Sequence, residues 1–522
     1  MKILRAGLPA ILAAFTGLLT AAEPLSALES WWSGPRATGD WFGLRQPVVD
    51  HGLTLGGKWP GTVYGVVDGG LQRRATFDEE LKFEARLDFA RLTGCEALEG
   101  LTMQGGVRLR DGYNVNNAVG ASPAFNPSSY QSGKQWRLMP FYLSYTTPSL
   151  FGQKDFLTLS GGWQNPYEFF ARQEDAKLFR NNVIVSGKGI SSNGIGWSSS
   201  YAAWGGLMKI VPCDWSYVQA GLYMAIPGAA NSPNHGLDLA GAQPASKNGV
   251  YALGEAGITP AIAGLPGKYA FGGYYWGIEN KDFDGTAEAG KFSLYWMAEQ
   301  TLYREPLPSE PDGKSRIPPT RESNEGLRWL GFVNYAPPPN DALPFFFYTG
   351  LVYEGLIPSR DRDQMGIAFA YGNYSYDQIT AAHEAGESVV NSYEAVLEFE
   401  YRAQVNKWSY IQPFLQYVIW PGGNGQVANA TVLGIHFGVT FWLLQIRPTP
   451  HRREPADIRL RHPHVPRGLV HRQKSSAPAR KRNHRLPVVP EVRRDLTGVD
   501  PVKFLEHRIR SGRRTLEGVH LA

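Results

Sequence analysis

The stretch LKFEARLDF, from Leu81 to Phe89, alternates strictly between apolar and charged residues. Successive side chains of a β-strand point to opposite faces of the sheet, so one face of this strand would be wholly apolar and the other fully charged. The stretches from Tyr393 to Arg402 and from Thr431 to Phe441 repeat the pattern, with a second face that is largely polar or made of small residues. All three stretches therefore predict amphipathic β-strands.

Alternation of this kind occurs in two classes of β-protein. In a soluble sandwich the apolar face packs into a core and the charged face meets water. In a membrane barrel the sense is inverted, so that apolar residues face lipid and charged residues face a wet lumen. The pattern alone does not separate the two classes. The N-terminal leader, the aromatic strand ends and the long spacing between strands favour the barrel.

Residues 1–22 have the features of a secretory signal peptide. Lys2 and Arg5 give a positively charged start, an apolar region runs from Ala6 to Leu19, and small residues follow it. This apolar region is shorter than the roughly 20 residues that a helical membrane anchor needs, so cleavage and export are favoured over anchoring.

The composition of the exported chain favours strands over membrane helices. No run of about 18 uncharged apolar residues follows the leader, which excludes helical spans. The 59 glycines, 15 tryptophans, 25 tyrosines and 25 phenylalanines suit tight turns and interfacial girdles. The predicted fold class is therefore all-β, a transmembrane antiparallel barrel of about 16 strands with roughly 24 residues per strand and its connection. This barrel would occupy residues 53–441, after a short periplasmic segment over residues 23–52.

The C-terminal tail, residues 442–522, is a different kind of sequence. It holds 19 Lys and Arg against 7 Asp and Glu, whereas the whole chain has a net charge of only +5. Such a basic, proline-containing composition buries little apolar surface and predicts disorder. A periplasmic extension that touches anionic lipid or cell wall and a read-through or frame error both remain open explanations of the tail.

Motifs for catalysis and cofactor binding are incomplete. HEAGE, from His383 to Glu387, lacks the second histidine of a zinc-binding helix, and Gly187-Lys188-Gly189 lacks the later glycines of nucleotide-binding loops. There is no Gly-x-Ser-x-Gly elbow. The sequence therefore predicts no enzyme, no metal and no cofactor. Cys95 and Cys213 are expected to be free, although a disulfide is chemically allowed in the periplasm.

Several segments, in order along the chain, resemble the carbohydrate-selective porin family of the OprB type. Each motif is weak, but their number and order make the resemblance strong over about residues 31–441. The segments are TGDWFGLR (38–45), YAAWGGLMKIVPCDWSYVQAGLY (201–223), LPGKYAFGGYY (265–275), AEQTLYRE (298–305), GLIPSRDRDQMGIAF (355–369), YIQPFLQYVIWPGGNG (410–425) and ANATVLGIHFGVTF (428–441).

The resemblance implies a 16-stranded outer-membrane barrel whose constriction is lined by charged and aromatic residues and which favours monosaccharides such as glucose. Two departures are Cys95, where the family commonly has an aromatic residue, and the 81 residues that follow Phe441. The implied partners are small sugars, outer-membrane lipid and lipopolysaccharide, and the outer-membrane assembly machinery of a Gram-negative bacterium, with no nucleic acid. The oligomeric state stays open between a monomer and a homotrimer.

Other functions are weighed against this interpretation. A general porin or a porin for small organic solutes would share the fold. An outer-membrane barrel enzyme would need a nucleophile and base near a strand end, and the sequence presents none. A secreted polysaccharide-binding β-protein would not fractionate with outer membranes.

Candidate solute-binding residues lie on the charged faces of predicted strands. Taken singly, each also fits an ordinary salt bridge along the lumen wall; as a cluster, the first group indicates a constriction. The first group comprises Lys82, Glu84, Arg86, Asp88, Arg108 and Arg110. The second group comprises Glu398, Glu400, Arg402, Arg360, Asp361 and Asp363, of which the last three alternatively lie at a strand end and hold a loop.

Overall fold

The computed structural model describes residues 24–128, 135–185, 202–225, 249–305 and 325–442. Sixteen long strands pair antiparallel with their neighbours in the chain, and the last strand pairs with the first, which closes the sheet into a barrel. The strands are β1 (Leu53–Asp68), β2 (Arg74–Asp88), β3 (Leu101–Gly112), β4 (Gln135–Thr146), β5 (Leu157–Gln164), β6 (Ala203–Cys213), β7 (Ser216–Ala225), β8 (Gly249–Ile258), β9 (Leu265–Gly277), β10 (Lys291–Arg304), β11 (Gly326–Tyr335), β12 (Phe345–Glu354), β13 (Gln364–Asn373), β14 (Tyr393–Asn406), β15 (Ser409–Ile419) and β16 (Ala430–Trp442).

The predicted sixteen-stranded antiparallel barrel is thus confirmed. The last strand ends at Trp442, one residue beyond the predicted end at Phe441. The predicted signal peptide and the rest of the basic tail lie outside the described residues.

The two faces of the strands are oriented in the membrane-barrel sense. On β14 the side chain of Leu397 is 39% exposed on the outer wall, whereas the adjacent Glu398 is fully buried on the inner side. On β16 Ile435 is 51% exposed and His436 is 1% exposed. An apolar outer surface suits lipid, and closure leaves no strand edge with unpaired amides in the bilayer.

The N-terminal segment covers the joint between the first and last strands. The backbone N–H of Ala37 donates to the Thr440 carbonyl (3.2 Å), and the Thr38 hydroxyl donates to the Phe441 carbonyl (2.9 Å). Trp31 packs its ring 5.0 Å from that of Trp408 in the β14–β15 turn. The end of the barrel that carries residues 24–52 is called the N-terminal end below.

Short helices occupy the N-terminal segment and several connections. None of those in the described part of the chain is long and apolar enough to span a bilayer. Cys95 and Cys213 are both free thiols. The helices are α1 (Pro24–Ser33), α2 (Arg45–Asp50), α3 (Phe89–Thr93), α4 (Asn116–Val119) and α5 (Tyr376–Glu384).

Two connections fold back inside the barrel and give it an interior core. They are residues 113–128, after β3, and residues 165–185, after β5; the latter is called the inner segment below. Alternation predicts charges facing a wet lumen, but much of the lumen is filled because these connections bring large apolar side chains against inward-facing tyrosines. The fully buried members of this core include Phe125, Phe170, Phe179, Ile184, Tyr64, Tyr251, Tyr295 and Tyr348.

Candidate functional site: a charged constriction inside the barrel

The inner segment crosses the lumen and is attached to strands around the wall. Near its start, the backbone N–H of Ala171 donates to the Glu255 carboxylate of β8 (2.8 Å). The Gln173 amide then donates to two wall carbonyls, those of Ala298 and Gly331. These bonds satisfy backbone and amide groups that would otherwise be buried without partners, so the sequence can hold a loop in this position.

The far part of the inner segment is held by carboxylates and amides of β14 and β15. Glu398 accepts from the backbone N–H of Arg180 (2.6 Å) and from that of Asn181 (3.1 Å to each oxygen). Gln412 donates to the Leu178 carbonyl (2.7 Å) and to the Glu400 carboxylate (2.5 Å). The wall thereby fixes where the segment narrows the lumen.

A cavity of about 420 Å³ remains between the inner segment and the wall. It is called the eyelet below, and its volume lies within the range of small-molecule sites, about 300–1,000 Å³. Among the described residues, two carboxylates line it, Glu80 and Glu168. Its cationic lining residues are Lys58, Lys82, Arg108, Arg110, Arg172, Lys177, Arg180 and Arg402.

Neighbouring strands bring part of this lining into a chain of ion pairs. Lys82 pairs with Glu84 on the same face of β2. Arg108 of β3 donates to the Glu168 carboxylate of the inner segment (2.7 Å) and lies 3.9 Å from Glu84. Alternating charges of this kind hold the side chains in fixed positions while leaving guanidinium N–H groups directed at the lumen.

A second pair lies beside this chain, on the same two strands. Arg110 donates to the Glu80 carboxylate (2.7 Å), and both side chains are buried. The register places Arg110 directly opposite Glu80 and Lys82 directly opposite Arg108.

Glu168 is charged in this setting. Its burial would by itself raise the pKa of the carboxyl, but the positive charges of Arg108, Lys82 and Arg172 outweigh burial and hold the pKa below its ordinary value. Glu168 is therefore an acceptor of hydrogen bonds at neutral pH.

The opposite side of the eyelet combines a cation with an aromatic face. The guanidinium of Arg402 lies 4.7 Å from the Tyr410 ring centroid and donates to the Gln412 side chain (2.6 Å). The Tyr410 hydroxyl and one nitrogen of Arg180 lie 2.9 and 3.1 Å from Nε2 of His436. This side therefore offers hydroxyl, guanidinium and ring contacts in one place.

The structure brings only some of the sequence-predicted site residues together. Lys82, Arg108, Arg110 and Arg402 line the eyelet, and Glu84 contacts two of them.

The two buried glutamates and the end of β2 stand apart from the cavity. Glu398 and Glu400 are fully buried behind the inner segment and hold it. Arg86 lies outside the lining, and Asp88 caps α3 by accepting from the Arg91 backbone N–H (3.1 Å).

The Arg360 to Asp363 group lies in the β12–β13 turn at the N-terminal end. Arg360 donates to Asp363 (2.8 Å), and Asp363 accepts from the Tyr401 hydroxyl and from the Gln404 backbone N–H. Asp361 is exposed. Arg360 and Asp363 hold a turn, which is the alternative that their position in the sequence left open.

Several lining residues were not predicted from the sequence. Glu80 shares the inward parity of Lys82 and Glu84, so extending the alternation by one step would have found it. Lys58 shares its face with the buried Thr62 and Tyr64 of β1, a weaker signal. Apart from Pro60 of β1, the others come from the inner segment or from β15 and β16, and only tertiary structure brings them here.

The described residues contain no cluster of three or more histidine, cysteine or carboxylate side chains that could hold a metal ion. The site can bind through hydrogen bonds, charge and ring contacts.

Comparisons with known proteins agree with this geometry. The sequence model of the family described as carbohydrate-selective porin, OprB family, matches residues 72–441. Porin B of Pseudomonas aeruginosa is 24% identical over 468 residues, which cover 81% of this chain and 93% of that protein. Putative porin QuiX of Acinetobacter baylyi is 23% identical over 469 residues, covering 81% and 98%.

A solved structure shares the fold. The high-pH structure of Pseudomonas putida OprB superimposes with a TM-score of 0.68 at 22% identity, covering 78% of this chain and 99% of that one. The family match spans most of the chain, and the closed barrel with its constricted interior is the architecture that such a porin requires. The chain therefore belongs to the OprB family of carbohydrate-selective porins, and it is a Gram-negative outer-membrane barrel through which carbohydrates diffuse passively.

Proposed function

We propose that the eyelet is the selectivity filter of this porin and that it passes monosaccharides such as glucose by binding them transiently. The observation that carries the proposal is the inner segment, which leaves a charged, hydrogen-bonding cavity of about 420 Å³ inside the barrel. A solute must lose part of its hydration there and exchange it for contacts with the lining.

The chemistry of the lining suits a neutral, hydroxyl-rich ring. Arg108 and Arg110 present planar guanidinium donors, and Glu80 and Glu168 present carboxylate acceptors. Hydrogen bonds with one charged partner are roughly twice as strong as neutral ones. The Tyr410 ring adds an apolar face.

Binding in a channel has to stay weak, because a site that holds its solute strongly does not release it. Water in the eyelet competes for the same donors and acceptors, which lowers the net affinity. The proposed mode of action is passive diffusion alone, without a catalytic step.

The first expected result concerns the two arginines of β3. Arg108→Ala or Arg110→Ala should raise the glucose concentration that halves single-channel conductance by about three- to tenfold, since a hydrogen bond to a charged group contributes roughly 1.5 kcal/mol. Anion conductance should fall too, because positive charge leaves the lumen. Planar-bilayer recordings with glucose titration measure both effects.

Arg360→Ala is the matched control, because Arg360 lies in the β12–β13 turn, outside the eyelet lining. Glucose block that is unchanged in both β3 variants but weakened by the control would move the filter to that turn.

The orientation and assembly of the barrel complete the proposal. We infer that the N-terminal end faces the periplasm and that lipopolysaccharide and the barrel-assembly machinery are partners of the outer wall and of β16. Monomer and homotrimer are separated by the mass of the detergent-solubilised protein.

A further inference from the structure

We propose that the eyelet prefers sugars that carry a carboxylate, of the uronic- or aldonic-acid class, over neutral sugars, and that Lys58 recognises the carboxylate. The inference rests on the proposed function, because it assigns a substrate class to the same eyelet.

The first observation is a row of cations across adjacent strands. Lys58 of β1 is directly opposite Lys82 of β2, and Lys82 is directly opposite Arg108 of β3. Side chains directly opposite each other in a sheet lie about 5 Å apart at Cβ, and like charges in that position destabilise the sheet. Here the repulsion among the three cations is tolerated where their row faces the eyelet.

The second observation is that the row lacks one counter-charge. Lys82 pairs with Glu84, and Arg108 pairs with Glu168. For Lys58, no carboxylate of the described residues lies within ion-pair distance, and its side chain is exposed to the lumen. An ammonium group that lines a cavity and has no ion-pair partner is available to a passing anion.

The third observation is the net charge around the cavity. In the part of the chain that the structure describes, eight cations line the eyelet against two carboxylates. Glu84 and Glu174 each contact one or more of these cations, and Glu398 and Glu400 lie buried behind the inner segment. The excess of cations is therefore a property of the lining of the eyelet itself, because Asp78 and Glu299 also interact with Arg110, Arg180 and Lys177 from outside it.

These observations favour an anionic sugar over a neutral one. A neutral hydroxyl-rich ring uses the donors and acceptors of the eyelet but does not compensate its excess positive charge. A carboxylate on the same ring does both, and narrow, low-dielectric walls concentrate the positive potential that attracts it. Because the Lys58 side chain is exposed, its pair with a carboxylate stays weak, which keeps release fast.

The test compares glucose with glucuronate, which differs from it by a carboxylate at one carbon. In planar bilayers, the half-blocking concentration of each solute is measured on the parent protein and on Lys58→Gln, Lys58→Arg and Lys407→Gln. Lys407 is exposed in the β14–β15 turn, so its variant makes the same change of charge away from the eyelet.

In the parent protein, glucuronate should block at a concentration about three- to fivefold lower than glucose, the size that a solvated ion pair allows. Lys58→Gln should remove most of this preference, which is the ratio of the two half-blocking concentrations measured on that variant. Lys58→Arg and Lys407→Gln should retain it.

Equal block by the two solutes in the parent protein, or a preference that survives in Lys58→Gln, would overturn the inference while leaving glucose block, and with it the proposed function, intact. Absence of block by both solutes would instead remove the proposed function.

Discussion

Replacing Glu398 with alanine should open the channel. The Glu398 carboxylate accepts from the backbone N–H groups of Arg180 and Asn181 and from the Gln416 amide, in a fully buried position. Each buried donor that loses its acceptor costs about 1–3 kcal/mol. The inner segment escapes this cost if residues 178–181 leave the wall and their amides become hydrated in the lumen.

The expected readout of Glu398→Ala is a single-channel conductance that rises several-fold, together with loss of glucose block. Glu398→Gln keeps one acceptor oxygen, so its conductance should lie between those of the parent and the alanine variant. Glu384→Ala, in the exposed helix α5, makes the same chemical change on the surface and should leave conductance unchanged. A parent-like conductance in Glu398→Ala would mean that the inner segment is held without this carboxylate.

The second large effect is expected at Leu397, next to Glu398, and it is an effect on stability, because this side chain faces outward and not into the lumen. Leu397 is exposed on the outer wall, two residues from Phe399, which is central among the outward-facing residues of β14. Leu397→Arg should lower the free energy of unfolding by about 2–4 kcal/mol, the cost of an arginine at the bilayer midplane on the lipid face of a barrel. Urea unfolding of the protein folded into lipid vesicles measures the change.

Leu397→Met is the control for that measurement, because it conserves volume and apolar character and should cost less than about 1.5 kcal/mol. An arginine tolerated as well as the methionine would show that this part of the wall does not face lipid.

The strands of the wall could be predicted from the sequence because each one carries its own alternation of apolar and polar residues. Period-two alternation in Leu81 to Phe89 fixes which side chains of β2 point inward, and the antiparallel pairing of β2 with the next strand makes Arg108 and Arg110 its neighbours. The charges around Lys82 could therefore be assembled from two adjacent stretches of sequence.

The interior of the barrel could not be predicted in this way. Alternation alone predicts that Glu398 is a wet lumen charge that can be replaced at little cost, yet the structure buries it under Arg180 and Asn181, more than 200 residues away in the chain. Where a long connection such as the inner segment comes to rest depends on partners on many strands, and no short-range periodicity encodes them. For the same reason Tyr410 and His436 were not among the predicted site residues.

A barrel whose wall is a single sheet resists flattening poorly, and a segment that crosses its interior and is attached on both sides helps to keep its cross-section round. The inner segment is attached in this way. Glu168 forms an ion pair with Arg108 on β3, and Asp175 forms one with Arg328 on β11, half the circumference away. The width of the passage and the shape of the barrel are therefore mechanically coupled, and shortening the inner segment to widen the passage would deform the barrel. Some side chains, such as Lys58, point into the passage but do not attach the inner segment to the wall. Substitutions at these positions can change the solute selectivity of the barrel while its shape is kept.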